Sequence, residues 1–298
     1  MDKAQRNDPR SFAMLISAMF IYGTIGVFRR YIPISSGTLA LFRGIIGCLL
    51  LLLMIFITKK RPIPKTDKKT LAMLIISGGL IGFNWIFLFE SYNYTTVATA
   101  TLCYYLEPSI VMLLSPVFFA EKLTGKKIFC IAASFVGMVL VSGVVGSALP
   151  PVSELRGIAY GVTAAAMYSA VVMINKKLPS LEPFSKTFIQ LASASVVILP
   201  YVLITEDITA VPTDFRSLLL ILILGAVHTG LAYALYFGSM NGLRTQTVAI
   251  FSYVDPVTAL FLSFFFLHEK VTVLGLVGAF LMIGSAVLSV TGEQKQRS

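Results

Sequence analysis

Apolar residues follow one another in long runs along this chain and do not alternate with polar ones. Ten runs match the thickness of a bilayer's hydrocarbon core, because ~20 helical residues at 1.5 Å each cross ~30 Å. They cover 11–31, 37–58, 70–90, 95–119, 127–145, 155–175, 186–205, 216–238, 245–267 and 272–291. Helices satisfy their own backbone hydrogen bonds in lipid, and the sequence lacks the alternating ~10-residue strands of a barrel. We therefore predict ten transmembrane helices.

The composition supports an all-α membrane protein. Of 298 residues, 56% are hydrophobic and 13% are charged, whereas soluble domains carry about 25% charged residues. No stretch between the runs is long enough to fold as a separate soluble domain. The net charge of +10 does not indicate nucleic-acid binding, because the basic residues lie in short clusters between apolar runs. Cys48, Cys103 and Cys130 lie inside apolar runs and are interpreted as small hydrophobic residues.

The basic residues are concentrated in alternate loops. With the N-terminus in the cytoplasm, 18 of the 24 Lys and Arg residues fall on the cytoplasmic side, five fall on the opposite side, and Arg43 lies within the second run. Short cytoplasmic loops carry an excess of Lys and Arg. We therefore predict a multi-pass protein of the cell (inner) membrane with both termini cytoplasmic. The first run is interpreted as a retained span and not as a cleaved signal peptide.

The sequence also repeats itself. A gapless shift of 148 residues gives 13 identities in the 43 positions from 82 to 124, and it matches Glu107 to Asp255. The identities include Gly82/Gly230, Asn93/Asn241, Tyr105/Tyr253, Pro108/Pro256, Glu121/Glu269 and Lys122/Lys270. Five spans per half make the second half enter the membrane from the opposite side, a construction typical of secondary transporters. We predict two inverted five-helix repeats, residues 1–147 and 148–298.

Two segments carry a family resemblance. "YYLEPSIVMLLSPVFFAEKLT" and "SYVDPVTALFLSFFFLHEKVT" each lie at the fourth span of their half and resemble the drug/metabolite transporter superfamily in its ten-span EamA type. The resemblance covers essentially the whole chain. It implies export or exchange of a metabolite across a prokaryotic cell membrane, without indicating the cargo.

Glu107 and Asp255 are the first candidates for a functional site. Each lies near the middle of its predicted span and is followed by proline. An intramembrane acid is a functional candidate by default, because its insertion costs roughly 2.5–3.5 kcal/mol. Proline removes a helical hydrogen bond, so we expect each helix to kink and free a carbonyl one turn earlier. Such a pocket could accept a proton or a cation. The alternative is a structural acid, kept protonated or hydrogen-bonded to a neighbouring helix.

Three further ionisable residues inside the predicted spans are candidates for the site. Arg43 must pair or snorkel, either in an ion pair with Glu107, Asp255 or Glu90, or with an anionic group of a ligand such as a carboxylate. His228 could relay protons or form a neutral hydrogen bond between helices. Glu90, near the outer end of the third run, could contact water and headgroups or line an outer vestibule.

Aromatic and small residues complete the pattern. Tyr104 lies three residues before Glu107, on its helix face. With other midspan aromatic residues it could form a box for an organic cation, or it could simply pack in the core. The other members of this group are Tyr22, Trp85, Tyr168, Tyr233 and Tyr253. The pairs Gly78/Gly82 and Gly157/Gly161 have the spacing of close helix contacts. The Glu-Lys pairs at 121–122 and 269–270 are interpreted as local ion pairs or helix-end caps.

These features predict a secondary active transporter and not an enzyme. No phosphate loop, zinc spacing or Ser/His/Asp set is found in the loops, so we expect no cofactor or metal. The expected partners are a small-molecule substrate, the lipid bilayer and protons as coupling ion, with no nucleic acid. Two acids, a histidine and one arginine suit an amino acid or small amine better than a doubly anionic cargo. The alternatives are a membrane-embedded enzyme, which would cluster His, Asp or Ser near a membrane face, and a passive channel.

Overall fold

The computed structural model describes residues 8–120, 123–141, 151–179, 181–212, 214–240 and 251–291, together with Leu243 and Val248. Within these residues the chain is α-helical and has no strand. The helices are α1 Pro9–Gly23, α2 Ile25–Arg30, α3 Ser36–Ile57, α4 Lys68–Tyr94, α5 Val97–Tyr104, α6 Glu107–Phe119, α7 Gly125–Val141, α8 Val152–Lys177, α9 Pro183–Thr205, α10 Phe215–Gly225, α11 Ala232–Met240, α12 Val254–Leu267 and α13 Val273–Thr291.

In the described part of the chain, seven helical stretches are long and apolar enough to cross a membrane. They are Pro9–Arg30, Ser36–Ile57, Lys68–Tyr94, Val97–Phe119, Val152–Lys177, Pro183–Thr205 and Phe215–Tyr236. Val254–Leu267 and Val273–Leu288 are shorter apolar helices. The prediction of an all-α membrane protein is thus supported, whereas the count of ten spans stays a prediction.

Within the described residues, four of the predicted helices are interrupted, and the ninth predicted helix breaks at Ser252 and Tyr253, just before α12. The first breaks at Thr24, whose hydroxyl donates to the carbonyl of Ile21 at 2.7 Å. The fourth breaks between α5 and α6, because Pro108 offers no amide hydrogen to the preceding turn. The eighth contains a π-helical turn, Ala226–Leu231, between α10 and α11. Interruptions of this kind in membrane helices often mark functional positions.

Helices of the first half of the chain pack mainly against helices of the second. α4 lies along α8 and α9, α3 crosses α9, and α1 contacts α11 and α12. α7 pairs with α13, where the backbones of Gly137 and Gly278 touch: a Cβ on Gly278 would lie 2.5 Å from the carbonyl oxygen of Gly137. The main apolar core lies between α3, α4 and α9 and includes Leu39, Leu51, Phe89, Leu191 and Ile198.

The predicted glycine contacts are confirmed. A Cβ on Gly78 would lie 2.5 Å from the carbonyl oxygen of Gln190 in α9, and a Cβ on Gly82 would lie 2.6 Å from Ile198. Gly157 meets Thr95 in the same way at 2.9 Å. These residues bring α4 and α8 close to their neighbours, as small residues do in membrane bundles.

Loops that were predicted to share a side meet at the same end of the bundle. At the predicted outer end, Arg30 pairs with Glu269 at 3.2 Å. At the predicted inner end, Lys60 pairs with Glu182 at 2.5 Å, and the hydroxyl of Ser185 donates to the carbonyl of Arg61. The relative sidedness of the loops therefore agrees with the charge pattern.

Candidate functional site

The two Pro-linked acids both begin helices. Glu107 is the first residue of α6, after the break that follows Tyr104, and Asp255 lies in the first turn of α12. The predicted interruption beside each proline is therefore confirmed. Because α5 ends at Tyr104, this residue and Glu107 do not share one continuous helix, and their placement on one face stays a prediction.

Asp255 is held by a tyrosine from the other half of the chain. The phenol of Tyr105 donates to its Oδ2 at 2.6 Å. The ring of Tyr105 also packs on that of Tyr253, with centroids 6.1 Å apart. These two tyrosines are the ones that the 148-residue shift superposes, so the acid of one half is bound by the tyrosine of the other.

Glu107 is arranged differently. Its backbone carbonyl accepts a hydrogen bond from Ser169 at 3.2 Å. Across the described residues its carboxylate forms neither a hydrogen bond nor an ion pair. The two superposed acids are therefore in different states, one bound by a phenol and one free to take a proton or a cationic group.

Arg43 is buried, with 4% of its surface exposed, and has no carboxylate partner among the described residues. Its Nε donates to Thr229 Oγ1 at 2.8 Å. Its guanidinium lies 4.5 Å from the ring centroid of Trp85 and 5.6 Å from that of Phe89. The predicted ion pair with Glu107, Asp255 or Glu90 is thus not formed, because stacking on aromatic rings and a hydroxyl take its place.

His228 lies in the π-helical turn. Its Nε2 lies 2.7 Å from Thr24 Oγ1, at the break between α1 and α2, and its Nδ1 lies 3.3 Å from the carbonyl oxygen of Ile223. The ring packs edge-on against Phe28, with centroids 4.8 Å apart. The predicted hydrogen bond between helices is therefore present.

Tyrosines surround these ionisable groups. Tyr104 packs on Tyr168 with centroids 5.7 Å apart, and Tyr22 packs on Tyr233 at 5.8 Å. Tyr233 and Tyr22 are within electrostatic range of the Arg43 guanidinium. The buried hydroxyl of Tyr22 has no hydrogen-bond partner among the described residues. An unpartnered phenol near an arginine without an ion pair is suited to an anionic ligand group.

Three carboxylates join the helices at the predicted outer end. Glu269 accepts from the backbone amides of Val97 and Ala98 at the start of α5, from Arg30 and from Ser263. It therefore caps the start of α5, so the predicted helix-end cap is present, whereas its ion pair among the described residues is with Arg30 and not with Lys270. The Glu121-Lys122 pair lies outside the described residues.

Glu206 and Glu90 complete this outer network. Glu206 accepts from the amides of Gly37 and Thr38 at the start of α3, at 2.9 and 2.6 Å. Glu90 accepts from the hydroxyl of Ser36 at 2.6 Å and from Asn93. Glu90 thus has protein partners and does not rely on water and headgroups alone.

Comparison with known proteins shows to which protein family this chain belongs. The model of the EamA-like transporter family matches residues 10–143 and again residues 155–291. The chain belongs to the EamA-like transporter family. The match covers both halves, so this EamA-family protein is a multi-pass membrane protein related to transporters.

Several relatives of this EamA-family chain are named as transporters. The uncharacterized transporter YxxF of Bacillus subtilis is 26% identical over 94% of this chain and 89% of its own length. An uncharacterized transporter of Archaeoglobus fulgidus is also 26% identical, over 93% and 94%. Protein PecM of Dickeya dadantii is 24% identical over 72% of both chains. A solved crystal structure with 17% identity shares the fold, with a TM-score of 0.68 over 97% of this chain and 99% of the other.

The sequence alone missed three residues of the candidate site. Tyr105 binds Asp255, Thr229 binds Arg43, and Thr24 binds His228. Tyr105 could have been found, because the 148-residue shift superposes it on Tyr253, two residues before an acid in each half. The two threonines carry no comparable signal, since each acts through a residue far away in the sequence.

Proposed function

We propose that this EamA-family protein is a secondary active transporter, an exporter or exchanger, for an amino acid or organic amine. It crosses the cell membrane ten times, in inverted five-helix repeats formed by residues 1–147 and 148–298. Both termini lie in the cytoplasm, in agreement with the excess of basic residues in alternate loops. Transport proceeds by alternating access about the interface between the repeats.

Two pairs of matching features support the inverted repeats. Ser134 and Ser285 share a hydrogen bond of 2.6 Å between α7 and α13, and Gly137 lies against Met282 in the same crossing. A shift of 148 residues carries Ser134 onto Met282 and Ser285 back onto Gly137. The first contact therefore maps onto the second, as a pseudo-twofold axis requires. The helices α6 and α12 also end alike: Ala120 and His268, again 148 residues apart, have φ values of 53° and 52°.

The observation that carries the proposed substrate class is a buried cation and a carboxylate that do not neutralise each other. Arg43 has no ion pair, and Glu107 has no side-chain partner among the described residues. A zwitterion complements such a site: its carboxylate can bind Arg43 and Tyr22, and its ammonium group can bind Glu107. The charges of ligand and protein then balance in a site where unpaired charge is costly.

The acids also provide a route for coupling. A carboxylate that alternates between a hydrophobic and a solvated setting takes up and releases a proton. If ammonium and proton compete for Glu107 or Asp255, then substrate and proton move in exchange. Protons are therefore the proposed coupling ion.

A set of three ligands tests the substrate class: a neutral amino acid, the amine that lacks its carboxylate, and the carboxylic acid that lacks its amine. We expect the amino acid to raise the thermal unfolding temperature of the purified protein most, the amine less, and the acid least. Arg43→Gln should lower the affinity for the amino acid about tenfold or more, to that of the amine. Arg216→Gln, an arginine stacked on Tyr31 at 5.7 Å, is the matched control.

Counterflow in proteoliposomes then distinguishes a carrier from a channel. Unlabelled substrate inside the vesicles should accelerate uptake of the labelled substrate, which a passive channel does not do. Binding of the carboxylic acid in preference to the amine would contradict the proposed substrate class, and absence of trans-stimulation for every bound ligand would contradict the carrier.

A further inference from the structure

Two tyrosines and two acids at the interface between the repeats define two equivalent tyrosine–acid pairs. Only one of these two pairs is hydrogen-bonded. Tyr105 donates to Asp255 at 2.6 Å. The 148-residue shift carries Tyr105 onto Tyr253 and Asp255 back onto Glu107, so the equivalent hydrogen bond joins Tyr253 to Glu107. That bond is not formed here, although Tyr253 is 7% exposed and lies in ring contact with Tyr105.

An inverted repeat gives this asymmetry a meaning. When two halves with one ancestral structure adopt different conformations, exchanging those conformations produces the state that opens to the other side. Contacts made by only one half are therefore the contacts that the transport cycle exchanges. Contacts that map onto themselves, such as that of the Tyr105 and Tyr253 rings, can persist in both states.

The state described here is identified by its outer end. Glu269, Glu206 and Glu90 tie helix starts and loops together there, and Arg30 adds an ion pair. We take the state with these ties as the one closed at the predicted outer end, and in it Tyr105 is bound to Asp255.

We propose that Tyr105 and Tyr253 are alternating partners of the two acids: the Tyr105–Asp255 bond stabilises the state closed at the outer end, and a Tyr253–Glu107 bond stabilises the state open there. Each exchange breaks one phenol–carboxylate bond and makes the other, so the two states stay close in energy. It also leaves one carboxylate without a phenol in each state, Glu107 here and Asp255 in the other. This inference rests on the proposed transport function and adds two positioning residues to it.

Removing either hydroxyl should shift the equilibrium in opposite directions. Tyr105→Phe keeps the ring contact and removes the bond of the outer-closed state, whereas Tyr253→Phe removes the bond of the outer-open state. Hydrogen bonds to a charged group are among the stronger ones, so each shift should be about tenfold. Tyr104→Phe is the matched control, since Tyr104 packs on Tyr105 at 6.1 Å and has no hydrogen bond to either acid.

Amide hydrogen exchange of the purified protein measures the shift without a substrate. The amides of Val97 and Ala98 are protected by Glu269 when the outer end is closed. We expect Tyr105→Phe to speed their exchange about tenfold, Tyr253→Phe to slow it, and Tyr104→Phe to leave it unchanged. The double variant should return close to the wild-type rate, because the two shifts cancel.

The possible results separate this inference from the proposed function. Shifts of the same sign in both variants, no shift in either, or a double variant that unfolds more readily without restoring the rate would overturn the tyrosine exchange. Counterflow that persists in the wild type alongside those results would leave the transporter intact. Opposed shifts without counterflow of any ligand would overturn the transport function and keep the two-state exchange.

Discussion

The guanidinium of Arg43 lies 4.5 Å from the ring centroid of Trp85. The contact joins α3 to α4, and the Nε bond to Thr229 ties the same side chain to the π-helical turn. A guanidinium held on both sides keeps a fixed plane, which favours bidentate binding of a carboxylate. The stack with Trp85 is therefore expected to matter for ligand affinity more than for folding.

Trp85→Leu should weaken binding of a carboxylate-bearing ligand by up to about thirtyfold, because a desolvated cation–π contact contributes about 2 kcal/mol. Trp85→Phe keeps an aromatic face and should lose less. Calorimetric titration of the purified protein measures both. Phe12→Leu, which removes a ring packed on Phe251 at 4.6 Å, controls for the loss of an aromatic residue. A leucine variant that binds as tightly as the wild type would contradict this role.

The hydrogen-bonded link between His228 and Thr24 allows a second prediction. His228 is 2% exposed, and its Nε2 has the Thr24 hydroxyl as its partner. Thr24→Val keeps the shape of the side chain but leaves this buried nitrogen unsatisfied, which should lower the free energy of unfolding by about 1–3 kcal/mol. Thr24→Ser keeps the hydroxyl and should be close to the wild type. Thermal unfolding in one detergent compares them, and equal losses in both variants would rule out the hydrogen bond as the cause.

Features that depend on neighbouring residues in the sequence could be predicted, whereas features that depend on contacts between distant residues could not. The apolar runs are local, and they predicted the helices and the breaks beside Pro108 and Pro256. The π-helical turn Ala226–Leu231 has no local signal, because side chains from other helices, Thr24 and Arg43, satisfy its polar groups. The same reason explains the wrong ion pair for Arg43.

The sequence predicted which residues belong to the candidate site better than it predicted the contacts between them. Glu107 and Asp255 stood out as acids inside apolar runs, and the repeat related them. That only Asp255 is bound by a phenol could not be predicted, since the repeat treats both acids alike. The difference between them depends on the conformation of the whole protein.

Two carboxylates at the predicted outer end, Glu269 and Glu206, should each protect one helix start. Glu269→Ala should speed amide exchange at Val97 and Ala98 while leaving Gly37 and Thr38 unchanged, and Glu206→Ala should do the reverse. A cap contributes typically ~1 kcal/mol, so each rate should rise about fivefold. Exchange measured by mass spectrometry at the two helix starts gives both readouts in one experiment. A uniform increase at both sites would indicate general loosening of the outer end instead.

The crossing of α7 and α13 should tolerate no added methyl group. A Cβ on Gly278 would lie 2.5 Å from the backbone oxygen of Gly137, whereas a Cβ on Gly284 would meet nothing within 4 Å. Gly278→Ala should lower the free energy of unfolding by about 1–3 kcal/mol, because backbone cannot move aside as a side chain can. Gly284→Ala on the same helix is the control and should be neutral. Equal unfolding temperatures of the two variants would show that the crossing is looser than this contact indicates.

The last prediction concerns the protonation of Glu107 and Asp255. Glu107→Gln and Asp255→Asn keep the size of the side chains but cannot exchange a proton. At least one should abolish accumulation driven by a pH gradient and keep counterflow at a raised substrate concentration, because the side-chain oxygen that remains still accepts a hydrogen bond from an ammonium group but takes up no proton. We expect the larger effect from Glu107→Gln, since the carboxylate of Asp255 is already bound by Tyr105 and that of Glu107 has no side-chain partner among the described residues.

Paired assays in proteoliposomes test this directly: uptake driven by an imposed pH gradient, and counterflow at one pH on both sides. Glu154→Gln, an acid in the first turn of α8 with no role in the proposed site, is the matched control and should match the wild type in both assays. Loss of both activities in Glu107→Gln, even at a raised substrate concentration, would show that the ammonium group needs the negative charge of this carboxylate and not only its oxygen atoms. If both single variants and the double variant accumulate substrate normally with an unchanged pH dependence, then the two acids are structural and the coupling lies elsewhere.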